Sequence, residues 1–291
     1  MENPQKTGSG VSHRLQKVLA SIDRMRPMPS TVTRVLHALE DSKTNASMIG
    51  ELLGLDQALA ASTLQAANSA YLGYGPSCTN LSDAVVRLGF GRIRTLVLGV
   101  EASSSLTGSL PGYRLGSGEL WNHSVATGMA AQWFSRAFSY PNPEDAYVAG
   151  LLHDMGKLML DQFALADYDR LFDLVKNYGL TFYQVEQKLF DIDHATVGGL
   201  MAAKWSFPAT LVEAIKCHHS PNQAKVSPEL SSIVNIANAL CPMDQTTLSK
   251  LGKREVHPAS MTILKLTPEK LENMRANMMQ YFRFGQAGDK K

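Results

Sequence analysis

Apolar residues in this chain recur at intervals of three and four, and almost nowhere at intervals of two. In "VSHRLQKVLASI" the residues Val11, Leu15, Val18, Leu19 and Ile22 form one stripe. Such a stripe lies on one face of an α-helix and must be covered by another element. "RPMPSTVTRVLHAL" repeats the pattern with Val32, Val35, Leu36 and Leu39, and Ser30 is the expected N-cap. "NLSDAVVRLGF" opens on Asn80 with Asp83 three residues on, a start like a capping box. In "QALAASTLQAANSAYLG" the small residues Ala58, Ala60, Ala61, Ala66 and Ala67 suit close helix packing. The most strand-like run, "RIRTLVLGV", continues helical patterning, and Leu96, Val97 and Val100 fit a buried helix. No hairpin turn joins alternating runs. The expected class is all-α.

A break in composition divides the helical pattern. "SSSLTGSLPGYRLGSG", residues 103–118, is rich in Ser and Gly and reads as an exposed linker or long loop. It separates two helical subdomains, 25–105 and 119–241, with an N-terminal helix in 1–24. Beyond the linker, helices are expected near 119–138, 143–163, 166–179, 181–190, 193–206, 208–219 and 228–241. A C-terminal tail, 242–291, carries one helix that starts at "TPEK" with Thr267 as cap and ends near Phe284, and the final "DKK" is expected to fray.

Hydrophobic residues make up 44% of the chain, enough for a sizeable core. The 28 basic and 26 acidic residues leave a net charge of +2, which argues against nucleic acid or an anionic membrane as partner. Arg92 and Arg94 in "FGRIRT" read as a wet helix face. No run of about 18 apolar residues is present to span a membrane. The N-terminus is polar, without a signal-peptide core, and Cys78, Cys217 and Cys241 are sparse and widely spaced. Free thiols in a reducing cytoplasm are expected.

Chemistry-bearing residues gather after the linker. His123, His153, His194, His218 and His219 all lie there. Glu119 and His123, four apart, share one helix face. His153 and Asp154 in "GLLHDMGKLML" are adjacent, and on a helix they point about 100° apart. Gly156 would let another backbone approach, and His218 and His219 end a helix where both can turn into one pocket. Imidazole mixed with carboxylate suits Fe, Mn, Zn or Ni better than Ca or Mg. Two such ions would clamp a phosphodiester, and Lys157 would hold a phosphate oxygen. The ordinary alternatives stay open. A single His on an apolar helix is commonly a hydrogen-bonded core residue, His194 follows an Asp cap, and "CHHS" fits a helix C-terminus.

Several motifs in order resemble one known family. "MRPMPSTVTRVLHALED", "LLGLDQALAASTLQAANSAYLG", "NLSDAVVRLGFGRIRTLVLG", "LWNHS", "AGLLHDMGK", "VEQKLFDIDHATVGGLMAAKW" and "FPATLVEAIKCHHSP" are similar to the HDOD family, the HD-related output domains of bacterial signalling proteins. The resemblance runs from about Met25 to Cys241, with its core at 25–223. The family usually has Asp-Pro where this chain has Asp56-Gln57. The resemblance implies an all-helical fold whose second half is an HD-like bundle. It also implies a signalling or regulatory module without an established common activity. The catalytic relatives, HD-GYP phosphodiesterases, place their metal ligands on Glu119, His123, His153, Asp154, His194, His218 and His219 of this chain.

Two departures set the expected function. A catalytic HD domain has a later Asp, and the matching helix "SSIVNIANALC" offers the neutral Asn238 there. Asp244 would substitute only if that helix ended early, and Pro242 disfavours that geometry. The segment after His219, "SPNQAKVSPEL", also has no Gly-x-Gly-Tyr-Pro. The expectation is a cytoplasmic protein-interaction or ligand-binding module with a signalling protein as partner. A nucleotide second messenger is a further candidate ligand, and Asn68 and Ser69 are the most distinctive polar residues of the N-terminal half. The alternative is a metal-dependent phosphohydrolase using His153, Asp154 and Lys157.

Overall fold

The structure, a computed structural model, describes residues 13–69, 77–241 and 254–287. Val11, Pro242, Asp244 and the terminal "DKK" lie outside the described residues. Those described form helices and no strand, apart from one isolated bridge between Leu110 and Leu115. The all-α expectation holds.

The first helices are α1 (His13–Asp23), α2 (Ser30–Glu40), α3 (Ala46–Leu53), α4 (Gln57–Ala67), α5 (Leu81–Leu88) and α6 (Phe90–Leu106). Val18 and Ile22 of α1 are buried, as are Val32 and Val35 of α2. Val97 of α6 is buried, whereas Leu96 and Val100 are only partly so. Of the alanines on α4, Ala67 is buried and Ala58 and Ala61 are exposed, because Leu59 and Thr63 form the inward face. The Asn80 side chain caps α5 by accepting from Asp83 N at 2.8 Å. Ser30 is not a cap. Pro29 holds that position and α2 begins at Ser30 itself, with no side-chain cap bond.

The second half contains α7 (Glu119–Ala137), α8 (Pro143–Leu152), α9 (Gly156–Ala166), α10 (Tyr168–Tyr178), α11 (Phe182–Phe190), α12 (His194–Lys204), α13 (Ala209–Cys217) and α14 (Pro228–Leu240). Among the described residues the C-terminal segment carries two helices where one was expected, α15 (Pro258–Ile263) and α16 (Pro268–Ala287). Thr267 Oγ1 accepts from Lys270 N at 3.1 Å, as its reading as a cap requires.

Two corrections bear on the site. The helix expected over 143–163 is two helices, with a turn at 153–155. Residues 107–118 form the expected long loop, exposed at most positions, but 103–118 is not an exposed linker throughout. Residues 103–106 finish α6, and Gly112, Tyr113 and Leu115 are buried with Leu110 against the second half. The reason is that Leu110, Tyr113 and Leu115 are large apolar side chains that the Ser and Gly content masks in a composition average.

Close backbone contacts bring the site's helices together. A Cβ added at Gly150 of α8 would lie 2.8 Å from the Cα of Gly128 on α7, so the two helices meet backbone to backbone. A Cβ on Gly156, at the start of α9, would overlap the His194 carbonyl and stand 2.7 Å from Gly198 N on α12. The approach expected at Gly156 is therefore present, and its neighbour is α12. Helix α14 packs against α7, α8 and α13 and has Leu230 to Asn238 buried without interruption.

Candidate metal centre

His123 comes from the buried face of α7, His153 and Asp154 from the turn between α8 and α9, and His194 from the first position of α12. His218 and His219 follow the end of α13. The Asp193 side chain caps α12 by accepting from Thr196 N at 2.8 Å, so His194 both follows an Asp cap and joins the cluster. The ring of His153 packs on those of His123 and His218, with centroids 5.0 Å and 4.9 Å away. The rings of His218 and His219 are 4.1 Å apart.

The ligand-type atoms form two neighbouring groups, one from His123, His153 and Asp154 and one from His194, His218 and His219. Asp154 joins them. Its Oδ2 is 3.4 Å from both His123 Nε2 and His153 Nε2, and its Oδ1 is 3.1 Å from His194 Nε2. Lys157 Nζ donates to Oδ2 at 2.6 Å. His194 Nε2 and His219 Nε2 are 3.0 Å apart.

Two tautomers follow from the backbone. His153 Nδ1 faces Gly150 O at 2.8 Å and His218 Nδ1 faces Ile215 O at 2.7 Å. A carbonyl only accepts, so each Nδ1 carries the proton and each neutral ring turns an Nε2 lone pair inward. Those two Nε2 atoms and Asp154 Oδ1 are buried without a well-aligned hydrogen bond among the described residues. His194 approaches Oδ1 closely, but not along a hydrogen-bond direction. Buried lone pairs left unmatched are costly unless something fills them. These donors fit a divalent transition metal.

Charge is arranged around the same centre. Burial pushes His123 and His153 below the usual imidazole range, partly opposed by Asp154. Burial, together with neighbouring rings, holds His218 and His219 well below it. Burial, the largest influence, would also lower His194, but the Glu186 and Asp154 carboxylates together outweigh it and raise it to about 9. Burial would raise Asp154. His153 and Lys157 overcome that and keep it ionised, well below the usual carboxylate range.

The remaining expected residues divide. Asn238 is buried, and it lines a cavity with His123, Lys157, His194, His219 and Arg254. Its Oδ1 has no hydrogen-bond partner among the described residues. Glu119 is brought into neither group of ligand atoms. It lies one turn before His123 and accepts from Gly116 N at 2.7 Å, which satisfies a donor at the helix entrance.

Five residues at the centre were not foreseen: Tyr113, Glu186, Asn235, Cys241 and Arg254. Glu186 Oε2 accepts from His194 Nδ1 at 2.6 Å and from His194 N at 2.7 Å. Tyr113 donates to Glu186 Oε1 at 2.8 Å. Asn235 Nδ2 donates to His218 O at 2.9 Å. Arg254 donates to Asn238 O at 2.8 Å and lies 3.1 Å from Cys241 Sγ. Glu186 alone left a signal, a carboxylate on the apolar face of α11 among Phe182, Val185, Leu189 and Phe190.

Residues 25–221 match the family model of the HDOD domain, against an expected core of 25–223. An uncharacterized protein of Treponema pallidum (strain Nichols) is 26% identical over 219 residues, 75% of this chain and 42% of that protein. The chain therefore spans less than half the length of that relative. A crystal structure of a Geobacter sulfurreducens HDOD domain protein of unknown function is 24% identical, with a TM-score of 0.65, covering 90% of this chain and 95% of that one. A Marinobacter aquaeolei VT8 protein provisionally named as a signal transduction protein is 19% identical, with a TM-score of 0.69, covering 94% and 65%. A Shewanella amazonensis SB2B protein provisionally named as a phosphohydrolase is 22% identical, with a TM-score of 0.63, covering 89% and 97%. At these identities the likenesses establish the fold.

Proposed function

This chain belongs to the HDOD domain family, and we propose that it is a regulatory module whose buried histidine cluster holds a divalent metal without hydrolysing phosphoesters. His123, His153 and Asp154, with His194, His218 and His219, would hold the ion, which as a Lewis acid would acidify a bound water. Iron, manganese, zinc and nickel suit this donor set.

The closure of the site carries the reading. The cavity beside the cluster, lined by Thr181, Phe182 and Tyr183 as well as the residues above, has room for about one water molecule. That volume is far smaller than a nucleotide. Asp154 Oδ2 is engaged by Lys157. Where catalytic relatives have a carboxylate the cavity has the amide of Asn238, which holds a metal more weakly.

Signalling would then run by contact, in the cytoplasm, with a protein partner. Met48, Leu55 and Val86 are exposed apolar side chains on or beside α3 and α5, which pack together. They support the N-terminal half as the partner surface.

The test is elemental analysis of untagged protein, followed by turnover assays with added Mn2+ or Fe2+ on bis(p-nitrophenyl) phosphate and cyclic di-GMP. Bound metal without turnover is the expected result. Turnover that disappears in His153→Ala would establish the phosphohydrolase alternative instead.

A further inference from the structure

We propose that Tyr113 and Glu186 are positioning residues that aim the His194 ring at the metal, and that the segment between the two helical halves is thereby part of the metal centre. The inference rests on reading the cluster as a metal site.

The geometry is a buried chain of three residues, in which Glu186 and His194 are near in sequence and Tyr113 comes from a distant segment. Tyr113 is fully buried in the 3-10 turn Pro111–Tyr113, and Glu186 is fully buried on α11. Both carboxylate oxygens of Glu186 are used. Oε1 takes the Tyr113 hydroxyl at 2.8 Å, and Oε2 takes the backbone and ring N–H of His194 at 2.7 Å and 2.6 Å. The Nδ1–H bond fixes both the ring's rotation and its proton, so Nε2 faces Asp154 and His219. A histidine ligand held this way is more basic and better aligned, and loss of such a support costs about 10- to 100-fold in metal affinity.

Tyr113 ties this chain to the connecting segment. Gly112 N donates to Asp161 Oδ1 at 2.9 Å on α9, which seats the turn. The Tyr113 ring packs on Phe182 of α11, with centroids 5.7 Å apart. Lys157 Nζ, the partner of Asp154, lies 6.0 Å from the centre of the same ring. One aromatic side chain thus binds the support of His194 and lies over that of Asp154. Coupling of this kind is reciprocal, so a metal that gains from the segment's docking must also hold the segment down.

Co2+ serves as the probe, read by its visible absorption in untagged protein stripped with chelator. Glu186→Gln keeps the shape and removes the charge, and is expected to weaken Co2+ binding about 10- to 100-fold. Tyr113→Phe is expected to weaken it several-fold. Hydrogen–deuterium exchange across 107–118 is expected to slow on Co2+ addition in the unaltered protein, and to slow less in Tyr113→Phe. A residue that only fills space would change stability without changing that metal dependence. If the unaltered protein binds Co2+ but exchange at 107–118 does not respond, the inference is overturned, whether or not either variant folds. If the unaltered protein binds no Co2+, the metal centre itself is overturned, and the positioning role with it.

Discussion

At the scale of single residues, burial and charge give the five histidines opposite protonation preferences. Burial keeps His123, His153, His218 and His219 neutral in the fold. Once unfolded they take up protons near the ordinary value of 6.5. The unfolded state then binds more protons, so these four lower stability as pH falls below about 6.5. His194 has the opposite sign. Its folded value is raised to about 9 from 6.5, so its contribution is complete below 6.5 and lost as pH rises toward 9. Metal-free protein is therefore expected to have its highest urea midpoint near pH 6.5, with His194→Gln flattening the alkaline side. A midpoint that rises from pH 6.5 to 9 would contradict this assignment. At Asn238 a single atom decides the charge. Asn238→Asp is expected to tighten Co2+ binding by about tenfold or more, since Asn238 lines the same cavity as His123, His194 and His219. Unchanged affinity would mean the side chain does not reach the ion. Residue type alone pointed to the histidines and Asp154. Glu186 was missed because its role depends on His194 lying across an interface from α11.

At the scale of elements, the turn at 153–155 decides what the His-Asp pair does. The expected continuous helix was reasonable, because the backbone at His153 and Met155 stays in the right-handed helical region. Short-range bonds replace the regular ladder there: Met155 N to Leu152 O at 3.0 Å, Lys157 N to Asp154 O at 3.0 Å and Leu158 N to Met155 O at 3.1 Å. Apolar spacing passes through such a turn almost unchanged, so periodicity did not reveal it. The consequence is that α9 sets off against α12 with no room for a side chain at Gly156. Gly156→Ala is expected to cost about 1–3 kcal/mol or more in urea denaturation, because backbone must move. Gly99→Ala on α6 is the contrast. Its new Cβ would meet only Leu151 Cδ2 at 3.9 Å, so it is expected to be stabilising by about 0.5–1 kcal/mol through helix propensity.

At the scale of the molecule, the N-terminal helix belongs with the distant second half. Lys204, at the end of α12, donates to Ile22 O at 2.8 Å and also to Asp23 O, closing the C-terminus of α1. Trp205 Nε1 donates to Arg26 O at 3.4 Å, and Arg14 pairs with Asp167 at 2.8 Å. Arg94, expected on a wet face, instead lies between Glu40 at 3.7 Å and Asp145 at 3.4 Å, joining the two halves. Lys204→Met is expected to lower stability by about 1 kcal/mol and to hasten proteolysis near residue 24, measured by limited digestion. Equal digestion rates would show that this clasp is not what holds α1. Among the described residues no helix is long and apolar enough to cross a membrane, and Cys78, Cys217 and Cys241 are buried free thiols.

The chain's own pattern determined the helical class, most helix positions and the residue types of the cluster, because apolar period, caps and side-chain chemistry are local properties. Tertiary structure decided that Asp154 stands between two histidine groups and that Tyr113 reaches Glu186 from a segment that reads as solvent-exposed. Those facts depend on which helices meet. That is settled by close contacts such as Gly128 with Gly150 and Gly156 with His194, which join positions far apart in sequence and leave no periodic trace.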